Sequence, residues 1–152
     1  MNSLIRWFSS DDVTDIVSIH EECGRHFEDL DITCEYVRAI TSRPDFRIAC
    51  ACEAGKVVGF AGVLYHETVS RAEFGPLAIS GDFRRKGIGK ELAGFVFDFL
   101  GSMGVRRVTA LVKAENREGM DFFLSMGFQL ECLRREYTRS GEDAIQLVTF
   151  LY

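Results

Sequence analysis

The chain reads Leu77-Ala-Ile-Ser-Gly-Asp-Phe-Arg-Arg-Lys-Gly-Ile-Gly-Lys-Glu-Leu92 in its central part. Strand-forming residues come first, a turn with two glycines follows, and a helical pattern begins at its end. Gly87 and Gly89 lack a Cβ and let a bulky anion approach the main chain, while a helix N-terminus offers unpaired N–H groups and a positive dipole end. The cationic side chains of this turn are Arg84, Arg85, Lys86 and Lys90. We therefore expect the ligand to be phosphorylated.

Two common phosphate-binding motifs do not fit this turn. A P-loop requires Ser or Thr after Gly-Lys, but Glu91 follows Gly89-Lys90, so the motif offers no hydroxyl for magnesium. The dinucleotide fingerprint requires a third glycine where this chain has Leu92. The pattern argues against a nucleoside triphosphatase and against a dinucleotide-binding oxidoreductase.

Two motifs resemble those of one family. The string Arg84-x-x-Gly87-x-Gly89 after Leu77-x-Ile79 resembles the acyl-CoA pyrophosphate loop of the GNAT superfamily of N-acetyltransferases. Asn116, followed by Met120-Asp-Phe-Phe-Leu-Ser-Met-Gly-Phe128, is similar to that family's second landmark, an Asn, a helix and a closing Gly-Phe. The resemblance implies that acetyl-CoA is the co-substrate and that its acetyl group moves directly to a primary amine.

The C-terminal part of the chain bears on the acceptor. Leu133-Arg-Arg-Glu-Tyr137 and Gly141-Glu-Asp-Ala144 resemble the C-terminal hairpin of the subgroup that acetylates ribosomal-protein N-termini. This resemblance favours a peptide or protein N-terminus as the amine. The alternatives are a polyamine or other small-molecule amine, a catalytically silent acyl-CoA-binding sensor, and an acidic protein-interaction module that binds no CoA.

Composition limits the class of protein. A chain of 152 residues with 47% hydrophobic content fits one domain over residues 1–152. No apolar run reaches the roughly 20 residues of a membrane span and the N-terminus lacks a signal-peptide pattern, so we expect a cytoplasmic protein. The 5 cysteines form no Cys-x-x-Cys pair, which indicates reduced thiols and no metal site. The formal charge of −5 argues against nucleic-acid binding, and the sequence leaves monomer and homodimer open.

Periodicity and turn residues predict an α/β fold with a mixed, mainly antiparallel central sheet, a bulged strand and flanking helices. The predicted strands are Leu4–Phe8, Phe46–Glu53, Val57–His66, Arg71–Ile79 with a bulge at Gly75-Pro76, Arg106–Lys113, Gln129–Tyr137 and Asp143–Leu151. The predicted helices follow caps at Ser9 to Asp12 and at Thr33, and span Gly87–Leu100 and Asn116–Met126. The third helix carries Ile88, Leu92, Val96 and Phe99 on one face, which should pack on the sheet.

Transfer of an acetyl group from a thioester requires a neutral amine, a stabilised oxyanion and release of a thiolate. Glu73 is the first candidate for the base, because its spacing to the phosphate turn matches that of the catalytic glutamate in histone-type members of the family. Alternation places it on one face with Gly75 and Leu77. The alternative is an exposed carboxylate paired with Arg71, with His66, Glu67 or water carrying the proton instead.

The remaining cofactor contacts come from the main chain and from two family positions. We expect a backbone N–H among Leu77, Ala78 and Ile79 to stabilise the oxyanion, and the carbonyls of these residues to receive the pantetheine amides. The turn from Arg84 to Lys90, with Ile88 inside it, should hold the pyrophosphate. Asn116 bonds the cofactor or simply caps its helix.

Two positions depart from the family pattern. A tyrosine usually stands where this chain has Phe123, which we expect beside the cofactor although it cannot donate a proton. Tyr137 and Tyr65 are the substitutes considered for the acid. A glutamate commonly stands in the ribosomal subgroup where this chain has Leu111.

Acidic residues concentrate in the segment that resembles the family's acceptor-groove cover. They are Glu21, Glu22, Glu28, Asp29, Asp31 and Glu35. A negative surface there would attract ammonium groups, while the alternative is a solvated acidic loop. His20 falls on an apolar helical stripe and is interpreted as a core residue, while Cys50 and Cys52 share one face of their strand and are interpreted as small core or surface residues.

Overall fold

The structure is a computed structural model that describes residues 4–24, 27 and 32–152. Its strands are β1 (Leu4–Trp7), β2 (Phe46–Glu53), β3 (Lys56–His66), β4 (Arg71–Ile79), β5 (Arg107–Lys113), β6 (Gln129–Arg134) and β7 (Ala144–Phe150). They form one sheet in the order β1-β2-β3-β4-β5-β7-β6. Only the β4–β5 pair is parallel among the described strands, so the prediction of a mixed, mainly antiparallel sheet is confirmed.

The helices begin where the predicted caps lie. They are α1 (Val13–Glu22), α2 (Cys34–Thr41), α3 (Ile88–Ser102) and α4 (Arg117–Ser125). The Thr33 hydroxyl accepts a hydrogen bond from the Tyr36 N–H at 3.0 Å, which caps α2. The Asn116 side-chain oxygen accepts one from the Gly119 N–H at 3.0 Å and caps α4 in the same way.

The predicted C-terminal hairpin is shorter than expected. Its first strand ends at Arg134 rather than Tyr137, because Glu136 has a φ of 47° and leaves the extended conformation. The Glu136 N–H then donates to the Asp143 carboxylate at 2.8 Å. Tyr137 therefore belongs to the connection between β6 and β7.

Two apolar clusters cover the two faces of the sheet: the α3 cluster lies on one face, and the α1 cluster, which includes residues of α2, lies on the other. On one face, α3 buries Ile88, Leu92 and Val96 as predicted. Phe99 also packs against this cluster, as predicted, but it is only partly buried and lies edge-on to Trp7 at 5.0 Å.

On the other face, α1 and α2 bury Ile16 and Val37 against β2 and β3. His20 is 8% exposed and stacks on Phe27 at 4.5 Å, and burial lowers the pKa of its ring. Cys50 and Cys52 are buried in this cluster, and burial raises the pKa of the Cys50 thiol. The interpretation of His20 as a core residue is confirmed, and of the two alternatives for Cys50 and Cys52 the core position is the one observed.

The predicted bulge lies at Gly75-Pro76. Ala61 of β3 pairs with Leu77, but Val63 pairs with Phe74, so two residues of β4 oppose Gly62 alone. Gly62 fits beside the bulge because it has no Cβ: a Cβ there would lie 2.8 Å from the Phe46 ring and 2.9 Å from the Gly75 oxygen. The prediction that alternation keeps Leu77 on the face of Glu73 is wrong: the extra residue turns Leu77 toward the α3 cluster, where Phe74 also packs.

Two further kinds of feature are absent from the described residues. No helix in residues 4–24 or 32–152 is long and apolar enough to cross a membrane. Within the same part of the chain, no three His, Cys, Asp or Glu side chains are grouped as metal ligands would be.

Candidate active site

A cleft opens in the sheet between β4 and β5. The two strands pair only through Arg71–Glu73 and Arg107–Thr109. Beyond these residues β4 continues along β3 and β5 continues along β7. A cavity of about 780 Å³ lies there, lined from both strands and from the starts of α3 and α4. Its shape suits a narrow ligand arm that enters between the strands.

Main-chain groups of β4 face this cleft. The Ser80 N–H donates to the Val58 oxygen on β3 at 2.9 Å. Because successive residues of a strand direct their polar groups to opposite sides, the N–H and C=O groups of Ile79 and Leu77 point away from β3 and into the cleft. These residues were predicted to offer N–H groups there. The side chain of Ala78, in contrast, packs into the α1 cluster and does not line the cavity.

The glycine turn forms the N-terminus of α3. Gly87 has a φ of 83°, a conformation that glycine adopts without strain, and its oxygen accepts the Glu91 N–H at 3.1 Å. No side chain caps this helix, so the first N–H groups from Ile88 onward remain available to an anion. Arg85 and Lys90 line the cavity beside them. Lys86 lies outside the lining, with its ammonium 5.3 Å from the Phe83 ring centre.

Arg84 has a partly structural position. Its guanidinium donates to the Ile79 oxygen at 3.0 Å and to the Cys23 sulfur at 3.1 Å. It thereby ties the turn to the end of α1. Glu22 strengthens the same link by accepting from the Ser80 hydroxyl at 3.2 Å and from the Gly81 N–H. A phosphate contact by Arg84 stays a prediction.

Gly89 of α3 lies against the Phe122 ring of α4. A Cβ at this residue would lie 2.9 Å from the edge of the Phe122 ring. Phe122 also lines the cavity, so a larger residue at 89 would push this ring. Packing against Phe122 thus favours glycine at 89, a reason that the motif alone does not reveal.

Glu73 lies in a row of side chains that crosses four strands. Phe46 pairs with Leu64, Leu64 with Glu73, and Glu73 with Thr109. Directly paired residues project from the same face, so this row faces the α1 and α2 side of the sheet. Glu73 is exposed, lines the cavity and forms no ion pair among the described residues, so the alternative pairing with Arg71 is absent.

The other candidate groups for proton transfer differ in position. Tyr137 is 47% exposed and lines the cavity from the β6–β7 connection. The Tyr65 hydroxyl donates to the Pro44 oxygen at 3.1 Å, and this residue lies outside the lining, so its role is structural. His66 is exposed at the end of β3, also outside the lining, and the side chain of Glu67 falls outside the described part of the chain.

Phe123 and Asn116 line the α4 side of the cavity. Phe123 is 7% exposed and packs edge-on against Phe128 at 5.0 Å and Phe74 at 6.1 Å. The Asn116 oxygen is used in capping α4. Leu111 is 43% exposed on β5 and lines the cavity on the opposite face.

A polar network beside Leu111 was missed by the sequence analysis. Arg107 donates two hydrogen bonds to Glu131, and Glu131 accepts from the Gln146 amide at 2.7 Å. The Gln146 oxygen accepts two bonds from Arg134 at 2.6 and 3.1 Å. Arg107 is the main cause that lowers the pKa of Glu131. The buried Gln146 at a strand position was the signal that could have revealed this network.

The acidic segment contributes no lining carboxylate within the described residues. Glu28, Asp29 and Asp31 lie outside that part of the chain. Glu22 is bonded to the β4–α3 turn, and Glu21 and Glu35 are exposed away from the cavity. Glu73 and Glu118 are the described carboxylates that do line it.

Comparisons with known proteins agree with this architecture. The sequence profile of the Acetyltransferase (GNAT) family matches residues 4–128. The chain is 31% identical over 94 residues to the [Ribosomal protein bS18]-alanine N-acetyltransferase of Escherichia coli, covering 60% of this chain and 62% of that protein. The aligned segment spans between 25% and 62% of the length of the curated relatives it matches.

Two solved structures show the same fold. Ard1 from Thermoplasma volcanium has a TM-score of 0.86 at 21% identity, covering 100% of this chain and 99% of that one. The phosphinothricin acetyltransferase from Sinorhizobium meliloti, solved in complex with AcCoA, has a TM-score of 0.83 at 19% identity, covering 99% and 89%. With the family profile spanning most of the described residues, the chain belongs to the GNAT family of acetyltransferases.

Proposed function

We propose that this protein moves the acetyl group of acetyl-CoA directly to a primary amine, and that the amine is a peptide or protein N-terminus. One observation carries this proposal: β4 and β5 separate to form a cleft, and the uncapped, basic N-terminus of α3 lies at this cleft. Family membership supports the reaction class, and the bS18-alanine relative supports the acceptor class. We also propose that residues 1–152 act as one domain.

The residues present fit acetyl-CoA. Gly87 adopts the left-handed conformation just before α3, and the uncapped N–H groups of Ile88, Gly89 and Lys90 would hold the pyrophosphate together with the helix dipole and the Arg85 and Lys90 side chains. The cleft-facing amides of Leu77 and Ile79 suit the amide groups of the pantetheine arm. Acetyl-CoA supplies an acetyl group that its thioester activates toward amines.

The chain's own groups then divide the proton chemistry. Glu73 accepts a proton from the incoming ammonium, directly or through one water. The Leu77 N–H points into the cleft and stabilises negative charge on the carbonyl oxygen. Tyr137 is the hydroxyl on the acceptor side that can protonate the departing sulfur, although a thiol pKa near about 8.5 makes the unprotonated thiolate a tolerable leaving group.

Binding is tested by calorimetry with acetyl-CoA. The double variant Arg85→Gln/Lys90→Gln should bind more weakly and show a smaller dependence on salt than the parent. The matched control Lys56→Gln/Arg106→Gln removes the same charge at exposed positions outside the cavity, and should bind like the parent. Equal affinities of the two double variants would contradict the assignment of the turn.

Catalysis is tested by release of the CoA thiol with a peptide acceptor. Glu73→Gln should lower kcat, change its pH profile and leave the affinity for acetyl-CoA nearly unchanged. Glu118→Gln is the matched control, because Glu118 lines the same cavity from α4. An unchanged pH profile in Glu73→Gln would remove Glu73 from the mechanism.

Competition between acceptors tests the amine class. Short peptides with free N-termini should be used in preference to spermidine and an aminoglycoside. Preferential turnover of polyamines, or of peptides with blocked N-termini, would overturn the choice of acceptor. Acetyl-CoA binding without thiol release with any amine would favour the sensor.

A further inference from the structure

The acceptor side of Glu73 has an apolar wall. Leu64 lies directly beside Glu73 in the adjacent strand, and Phe46 lies beside Leu64. Cβ atoms of such pairs are about 5 Å apart, so an amine at the Glu73 carboxylate has Leu64 as its immediate neighbour. The row continues on the other side of Glu73 with Thr109.

Elements that pack over this row extend the wall. Ile40 of α2 and Phe27, which follows α1, both line the cavity. Both are partly buried against the α1 cluster, as is Leu64, so part of each side chain remains open toward the cavity. Pro76, at the bulge, closes the side toward the cleft. The wall consists of Phe27, Ile40, Phe46, Leu64 and Pro76.

The side chains of this wall offer no hydrogen-bonding groups to a polar substituent of the acceptor. The turn after α2 adds one charged residue to the cavity lining, Arg43. Its guanidinium donates to both carboxylate oxygens of Asp45 at 2.9 and 2.8 Å. Phe46 is held in place because its ring fills the space over Gly62, 2.8 Å from where a Cβ would be. This surface is therefore preformed by packing and apolar next to the reacting amine.

We infer that the preferred acceptor carries a large apolar side chain on the residue that bears the amine, and that Leu64 and Ile40 determine this specificity. The inference rests on the proposed function. A methionine or leucine side chain would cover the apolar wall, whereas alanine or serine would leave it in contact with water. This preference differs from the alanine named for the bS18-specific relative.

The experiment compares short peptides that share all residues except the first. The parent protein should use Met or Leu peptides with kcat/KM at least about tenfold above that for Ala or Ser peptides. Leu64→Gln and Ile40→Gln should each reduce this ratio several-fold, and Leu64→Met should keep it. Because the ratio cancels effects common to all acceptors, a general loss of activity in a variant does not obscure the result.

Leu130→Gln is the matched control, since Leu130 is 62% exposed on β6 and lies outside the cavity lining. Its ratio should equal that of the parent. Turnover of Ala or Ser peptides at least as fast as of Met peptides, or a ratio unchanged in both Gln variants, would overturn the inference alone. Absence of thiol release with every peptide would overturn the proposed function as well.

Discussion

Replacing Gly87 by alanine tests the turn at the start of α3, with Gly94 as a partner in the same helix. Both glycines have open space where a Cβ would be added, with no atom within 4 Å. They differ in conformation, because Gly87 has a φ of 83° and Gly94 lies in the exposed middle of α3. The comparison therefore isolates the backbone effect from any clash.

The magnitudes follow from this difference. Alanine in the left-handed region costs about 1 to 2 kcal/mol, so Gly87→Ala should lower the free energy of unfolding. Alanine in a helix interior is favoured over glycine by about 0.5 to 1 kcal/mol, so Gly94→Ala should raise it. The two variants should then differ by about 1.5 to 3 kcal/mol in urea unfolding, with unchanged m-values.

Calorimetry with acetyl-CoA adds the functional half of the test. Gly87→Ala should weaken binding because relaxation of φ turns the N–H groups of Ile88 and Gly89 away from the pyrophosphate. Gly94→Ala should bind like the parent. Stability changes of the same sign and size in both variants, or unimpaired binding by Gly87→Ala, would refute the role given to this conformation.

Three further outcomes are expected. Asp12 accepts two hydrogen bonds of 2.8 Å from Arg6, and these bonds lower the pKa of its carboxyl. The ionised carboxylate therefore stabilises the fold above the ordinary Asp pKa near about 4. This stabilisation is lost as the pH falls through the lowered pKa of the folded state. Asp12→Asn should cost about 1 to 3 kcal/mol at pH 7 in urea unfolding, and a difference from the parent that does not shrink in acid would contradict this. Tyr137→Phe should lower kcat by less than about 100-fold while peptide KM changes little, and a change confined to KM would make Tyr137 a binding group only. Cys132, which is exposed, should react with a thiol reagent well before the buried Cys50, and the reverse order would show that the packing around Cys50 is wrong.

Local chemistry made much of the fold predictable from the sequence. Thr33 and Asn116 cap α2 and α4 because their side-chain oxygens reach N–H groups three residues ahead, a relation that depends on sequence spacing alone. The Ala54-Gly55 turn joins β2 and β3 as predicted, with φ of 52° and 78°. Such features need no knowledge of distant parts of the chain.

Long-range packing explains what the sequence did not reveal. Arg84 belongs to a basic turn, yet its guanidinium donates to the Ile79 oxygen and to the Cys23 sulfur. Cys23 lies 61 residues earlier in the sequence, so spacing does not reveal this contact. The Arg107–Glu131–Gln146–Arg134 network joins β5, β6 and β7, and its members are too far apart in sequence for spacing to pair them. The Glu22 bond to Gly81 likewise removed one acid from the predicted acceptor cover.

The bulge accounts for both errors and successes around Glu73. One extra residue in β4 turns Leu77 to the α3 side while Glu73 stays on the α1 and α2 side, so alternation counted through Gly75-Pro76 fails. The backbone after the bulge has no partner on β5, which leaves the N–H groups of Leu77 and Ile79 directed into the cleft. The relation between the candidate base and these N–H groups is thus set by main-chain geometry. Substitutions at cavity-lining positions such as Leu111 and Phe123 can therefore change the side chains around the cleft without changing the main-chain groups that face it.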